Sequence, residues 1–225
     1  MKALQLHPWR VTPAEARRIQ SELRGRVERR NRLGAVRLIA GADVALDLAR
    51  NRAIAGVVVF RFPGLEEVER ASAARPLTFP YVPGLLSFRE APALLAAFAR
   101  LRSVPDLLFF DGHGYAHPRR FGIACHLGLL LDRPAIGCAK SLLIGEHRPP
   151  ALAAGSRAAL RHAGETIGVA LRTRTGVKPV YISIGHRISL ERAAEFALAV
   201  CDGFRVPRPT RLADHFVEAC KRGAQ

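Results

Sequence analysis

Apolar residues recur at two different spacings along this chain, and the spacing changes where the elements change. Within residues 12–32 they fall at Ala16, Ile19, Leu23 and Val27, the interval of one helix face. Thr12 is placed to cap that helix, Pro13 suits its first position, Glu15 completes a capping box, and Gly34 ends it. The next runs, VRLIAGADVAL at 36–46 and IAGVVVF at 54–60, are strand-like, with Asn51 in the turn between them and a third short strand at 66–73. The proline-rich stretch 76–83 suits neither element and reads as a rigid loop. Ser87 is then expected to cap a helix over 88–102, which Pro105 stops. DLLFFD at 106–111 has the continuous apolar character of a strand buried on both faces.

Downstream, a Gly/His loop at 112–118 leads to a helix near 121–131 and a short strand at 134–139. Residues 146–164, rich in Pro, Ala, Arg and Gly, read as an irregular excursion. Strands at 166–172 and 179–184 follow, then a helix near 189–202 and a last helix that Thr210 caps with Asp214 as its partner acid. There is no repeat and no linker. Three strands followed by alternating helix and strand predict one α/β domain over 1–225, a mixed sheet covered by helices.

Charge adds a partner to this picture. The chain carries 35 basic residues against 19 acidic ones, a formal +16. A surplus of that size predicts a polyanion, because neutralising phosphates releases counterions. Arginine supplies nearly all of it, so a compositional bias toward arginine is the competing reading. The four cysteines, Cys125, Cys138, Cys201 and Cys220, form no C-x-x-C pair, which argues against zinc. The N-terminus lacks the apolar core of a signal peptide, and no run of about 18 apolar residues exists, so a reduced, cytoplasmic protein away from membranes is expected.

Acids inside apolar strands carry the candidate chemistry. Asp43 interrupts GADVAL and Asp111 ends DLLFFD. Burying such acids is costly unless they are paired or hold a cation. Two of them point to a metal site, with Glu90 as a third carboxylate unless it merely favours a helix dipole. Oxygen-only donors favour Mg²⁺, with Mn²⁺ able to substitute. Lys140 is informative because lysine is scarce here; it reads either as a contact to the scissile phosphate or the attacking water, or as a buried lysine paired with a carboxylate. In FPYVPG at 79–84 a tyrosine stands between prolines, as a base-stack wedge or as a packed loop aromatic. His113, His117 and His126 cluster about Gly112 and Gly114, and loop histidines of this kind often only bind phosphates or water.

These stretches resemble one family. GADVAL at 41–46, PYVPGLLSFREAP at 80–92, PDLLFFDGHGYAHPRRFGIACHLG at 105–128, IGCAKSLLIGE at 136–146, KPVYISIGHRISLERA at 178–193 and PTRLAD at 209–214 look like endonuclease V, in family order across most of the chain. The resemblance implies a ribonuclease H-like mixed sheet flanked by helices. It implies catalytic Asp43, Glu90, Asp111, Lys140 and Asp214, with Asp43 and Asp111 the main Mg²⁺ ligands. Asp214 falls at a position that is Asp or His across the family. Pro80, Tyr81, Val82 and Pro83 would form the strand-separating wedge. Gly84, Leu86, Gly112, Ile123 and Leu143 would line the pocket for an extruded hypoxanthine. The implied activity is repair: hydrolysis of the second phosphodiester bond 3′ to deoxyinosine or another deaminated base, by a monomer, leaving 3′-OH and 5′-phosphate ends. The alternatives are an endoribonuclease acting on inosine in RNA, and a binder of damaged nucleic acid that does not cut.

Overall fold

A computed structural model describes residues 1–223. Helix α1 (Pro13–Leu23) begins as the sequence predicts: the Thr12 hydroxyl accepts from the Glu15 N–H, and the Glu15 carboxylate accepts from the Thr12 N–H at 2.7 Å. It ends well before residue 32, in a 3₁₀ turn at Arg24–Arg26. Gly25 weakens the helix there and residues 24–32 offer only Val27 to bury. The backbone instead runs as a strap whose polar groups pair elsewhere. The Glu28 N–H donates to His186 Nδ1, the Arg187 N–H to Glu28 O and the Arg32 N–H to Arg187 O.

One eight-stranded sheet forms the centre. Its strands are β1 (Leu38–Asp47), β2 (Arg52–Arg61), β3 (Glu67–Pro76), β4 (Leu107–Asp111), β5 (Ala135–Ala139), β6 (Arg157–His162), β7 (Glu165–Leu171) and β8 (Val180–His186). Their order is β3-β2-β1-β4-β5-β8-β7-β6. The central β1, β4 and β5 are parallel and the flanking strands pair antiparallel, so the sheet is mixed. Strand β6 lies inside the stretch expected to be irregular. It folds back on β7 through Ala163 and Gly164, both at positive φ, the backbone of a tight hairpin turn. Alanine there hides the turn from a reading that looks for Asn-Gly or Asp-Gly, and Leu160 is the one fully buried residue of the strand.

Four more helices cover the sheet: α2 (Leu86–Phe98), α3 (Ile123–Leu131), α4 (Leu190–Ala199) and α5 (Arg208–Gly223). Side chains alternate along a strand, and the two faces have separate cores. Ala40, Ala42, Leu108 and Phe110 pack with Leu94, Phe98 and Leu127 of α2 and α3. Ile39, Leu107 and Phe109 pack with Ala197 and Ala213 of α4 and α5. Two caps differ from expectation. Leu85, not Ser87, precedes α2, and buried Ser87 instead bonds His126 Nδ1 at 3.0 Å. Thr210 lies inside α5, which starts two residues earlier, and its hydroxyl donates to Pro207 O. Glycines let α5 lie this close to the sheet. A Cβ at Gly41 would stand 2.0 Å from Pro209 O, and one at Gly56 would stand 2.6 Å from Val217 Cγ1.

Candidate active site

The acids gather where β1, β4, α2 and α5 meet. Asp43 and Asp111 have the strand parity of Ile39 and Phe109, so both leave the sheet on its α5 side. In register they lie one step past the pair Ala42–Phe110. Asp214 reaches the same place from α5: Lys140 Nζ lies 2.6 Å from Asp111 Oδ2 and 3.8 Å from Asp214 Oδ2. Asp214 is therefore turned toward Lys140 rather than back to the start of its helix. Lys140 pairs with a carboxylate, but at 44% side-chain exposure it is not the buried lysine of the alternative reading.

Electrostatics tie Glu90 into the group. Burial, then the charge of Asp111, pushes the Asp43 carboxyl up to about 7, against the pull of the Val44 N–H. Burial, then Asp43 and Asp111, pushes Glu90 up to about 8. Burial draws Lys140 down, but its hydrogen bond to Asp111 and the surrounding acids outweigh that and hold its pKa above the usual lysine value. The donor set is all oxygen and short of positive charge, which suits a hard divalent cation. Among the described residues, no three His, Cys, Asp or Glu side chains stand as a ready cage. Mg²⁺ does not require one, because it keeps several waters and is held through one or two carboxylates together with substrate phosphate.

A cavity of about 180 Å³ opens at Gly112, the residue after Asp111. Tyr81, Val82, Pro83, Gly84, Leu86, Gly112, Ile123 and Leu143 line it, so all five residues expected in a base pocket and three of the four wedge residues share one space. Pro80 lies outside the lining. Tyr81 is 70% exposed, at odds with a packed loop aromatic. Gln20, Ser87, His113, His117 and Gly122 complete the lining. Of the three clustered histidines, His126 is absent: it is fully buried, with its Nε2 2.6 Å from His7 Nε2. Gln20 was missed, although its signal is present in the sequence. It takes a place on the apolar face of α1, among Ala16, Ile19 and Leu23.

A family model described as Endonuclease V matches residues 21–215. The chain belongs to the endonuclease V family. Endonuclease V of Roseiflexus castenholzii is 53% identical over 214 residues, which are 95% of this chain and 96% of that one. The crystal structure of endonuclease V from Streptomyces avermitilis matches with a TM-score of 0.91 at 43% identity, covering 96% of each chain. Endonuclease V of Ciona intestinalis, in complex with a 24mer DNA containing an inosine followed by a ribo-adenosine, matches with a TM-score of 0.83 at 27% identity. It covers 94% of this chain and 98% of that one. The fold is thus the ribonuclease H-like one, and the chain is a DNA repair endonuclease, a phosphodiester hydrolase. Endonuclease V nucleases generally depend on a metal ion. No helix among the described residues is long and apolar enough to cross a membrane.

Proposed function

We propose that residues 1–225 form one catalytic domain, a cytoplasmic and monomeric Mg²⁺-dependent endonuclease. It cuts the second phosphodiester bond 3′ to deoxyinosine or another deaminated base, leaving 3′-OH and 5′-phosphate ends. One observation carries the reading: the base-sized cavity and the acids share their supporting elements. Gly112 follows Asp111, Leu86 and Glu90 lie one turn apart on α2, and Leu143 follows Lys140 by three residues. A base held in the cavity therefore keeps its own strand beside the carboxylates.

Asp43 and Asp111 would hold the ion, with Glu90 and Asp214 as further oxygen donors. When bound, it supplies Lewis-acid activation of the attacking water and neutralises charge at the leaving oxygen. Mn²⁺ would fill the same role. Lys140 places an ammonium where the phosphate gains charge in the transition state. Tyr81 stands at the cavity rim, where an aromatic ring can stack in the gap left by an extruded base. The glycine-rich wall brings backbone groups close to the purine edge, where hypoxanthine carries a carbonyl in place of adenine's amine. The inosine–ribo-adenosine strand bound by the Ciona relative favours a second reading, in which a ribonucleotide is accepted 3′ to the lesion. The test is cleavage of matched strands bearing inosine or adenosine, in DNA and RNA, with Mg²⁺, with Mn²⁺ and with EDTA, with end mapping. Cutting only at inosine and only with metal supports the reading; equal cutting of the adenosine strand refutes it.

A further inference from the structure

Behind the cavity stands a side chain from outside the stretches that carry the family resemblance. Gln20 is 1% exposed and reaches in from α1. Its Nε2 donates to Gly84 O at 3.1 Å and to Phe121 O at 3.0 Å, so both amide hydrogens are used. Its Oε1 accepts from Arg119 Nε at 2.5 Å. Because guanidinium can only donate and carbonyls can only accept, the amide has one possible orientation. Gly84 closes the loop that carries Tyr81, and Phe121 precedes Gly122 and Ile123 at the start of α3. The amide thus links two segments that line the cavity, the Tyr81 loop and the start of α3.

The Gly84 carbonyl is held from two further directions, by His117 Nε2 at 3.0 Å and Arg119 Nη2 at 2.7 Å. His117 Nδ1 accepts from the Arg119 N–H, which leaves its Nε2 to carry the hydrogen toward Gly84. Gly84 itself sits at φ +76°, and a Cβ there would lie 2.9 Å from Arg119 Nη2. Loss of Gln20 leaves Gly84 two donors but removes the link from that loop to Phe121.

We propose that Gln20 is a positioning residue for base discrimination, fixing the distance between the wedge loop and the pocket wall at the start of α3. This rests on the reading of the cavity as the site of an extruded deaminated base. A pocket rejects a wrong base because its buried polar groups would be left unpaired, and that requires walls that do not give. Gln20→Met keeps the bulk and removes all three hydrogen bonds. Gln20→Glu keeps the Arg119 partner but sets an acceptor against two carbonyls.

The experiment measures KM and kcat for inosine in duplex DNA, selectivity over adenosine in the same sequence, and thermal melting, for wild type and both variants. The expected result is an inosine KM raised about tenfold, in line with the cost of a sub-ångström misplacement. Selectivity falls with it, kcat stays within about twofold because the acids are untouched, and melting falls by several degrees, as the loss of buried hydrogen bonds requires. Gln20→Glu gives the same outcome and serves if Gln20→Met does not fold. Inosine KM and selectivity within twofold of wild type, in either folded variant, overturn the inference. So does an equal loss on both bases, the signature of packing alone. A wild-type protein that does not prefer inosine overturns the underlying reading instead, so the two failures are distinct.

Discussion

Replacing Tyr81 by alanine separates recognition from stability. The residue is 70% exposed, so only about a third of a tyrosine surface of roughly 200 Å² is covered by the protein. At about 25 cal/mol per Å², its removal costs at most about 1.5 kcal/mol of folding free energy. For a chain of this size that is a melting shift of a few degrees at most. Stacking on a base is worth about 1–3 kcal/mol, so affinity for inosine in a duplex should fall roughly ten- to hundredfold. Inosine in a single strand has no paired partner to displace, and the loss there should be smaller. The assay is binding of Tyr81→Ala to the two oligonucleotides beside a melting curve. An equal loss on both, with a large drop in melting temperature, would refute the wedge.

Three further outcomes are expected. Asp43→Ala and Asp111→Ala each abolish nicking with melting temperature maintained; wild-type nicking rates in either would remove the carboxylates from the mechanism. Affinity for undamaged duplex falls linearly in log–log terms with salt, with a slope set by the phosphates neutralised, and a flat titration would reduce the +16 charge to composition. The third concerns His186, whose pKa is lowered to about 4, first by burial and then by the charge of Arg187. Below about pH 6.5 the unfolded chain binds a proton there and the folded chain does not, so the stability His186 contributes is lost as pH falls toward 4. Between pH 7 and 4.5, wild type should therefore lose more melting temperature than His186→Gln; parallel curves would show that the group is not held neutral.

Strands and site differ in how legible they were in the sequence. GADVAL and DLLFFD announced both the central strands and their acids, because an acid in a buried run has to be paired or hold a cation. Their convergence with Asp214 needed the fold, since the glycines that admit α5 look like ordinary strand glycines until Pro209 and Val217 are placed against them. The helix expected to run to residue 32 stops at Leu23 because distant partners, His186 and Arg187, claim the backbone of Glu28 and Arg32. Local spacing carries no trace of that competition. Ser87 and Thr210 have the chemistry of caps but are taken up by His126 and by Pro207. Gln20 was visible as a polar residue on an apolar helix face, yet its three partners lie 64 to 101 positions away.

The order of the strands also bears on how this protein behaves when crowded. A sheet that does not close leaves two edge strands, here β3 and β6, and an edge left open invites another chain to add on; on β6 the Arg161 backbone is already paired with Glu146. Both edges carry exposed charge: Glu67, Arg70 and Arg75 on β3, and Arg157 and Arg161 on β6. Proline closes β3 at Pro76, where it can offer no N–H. Replacing those edge arginines with valine would leave the catalytic acids where they are. It would turn the rims of the sheet into templates for aggregation.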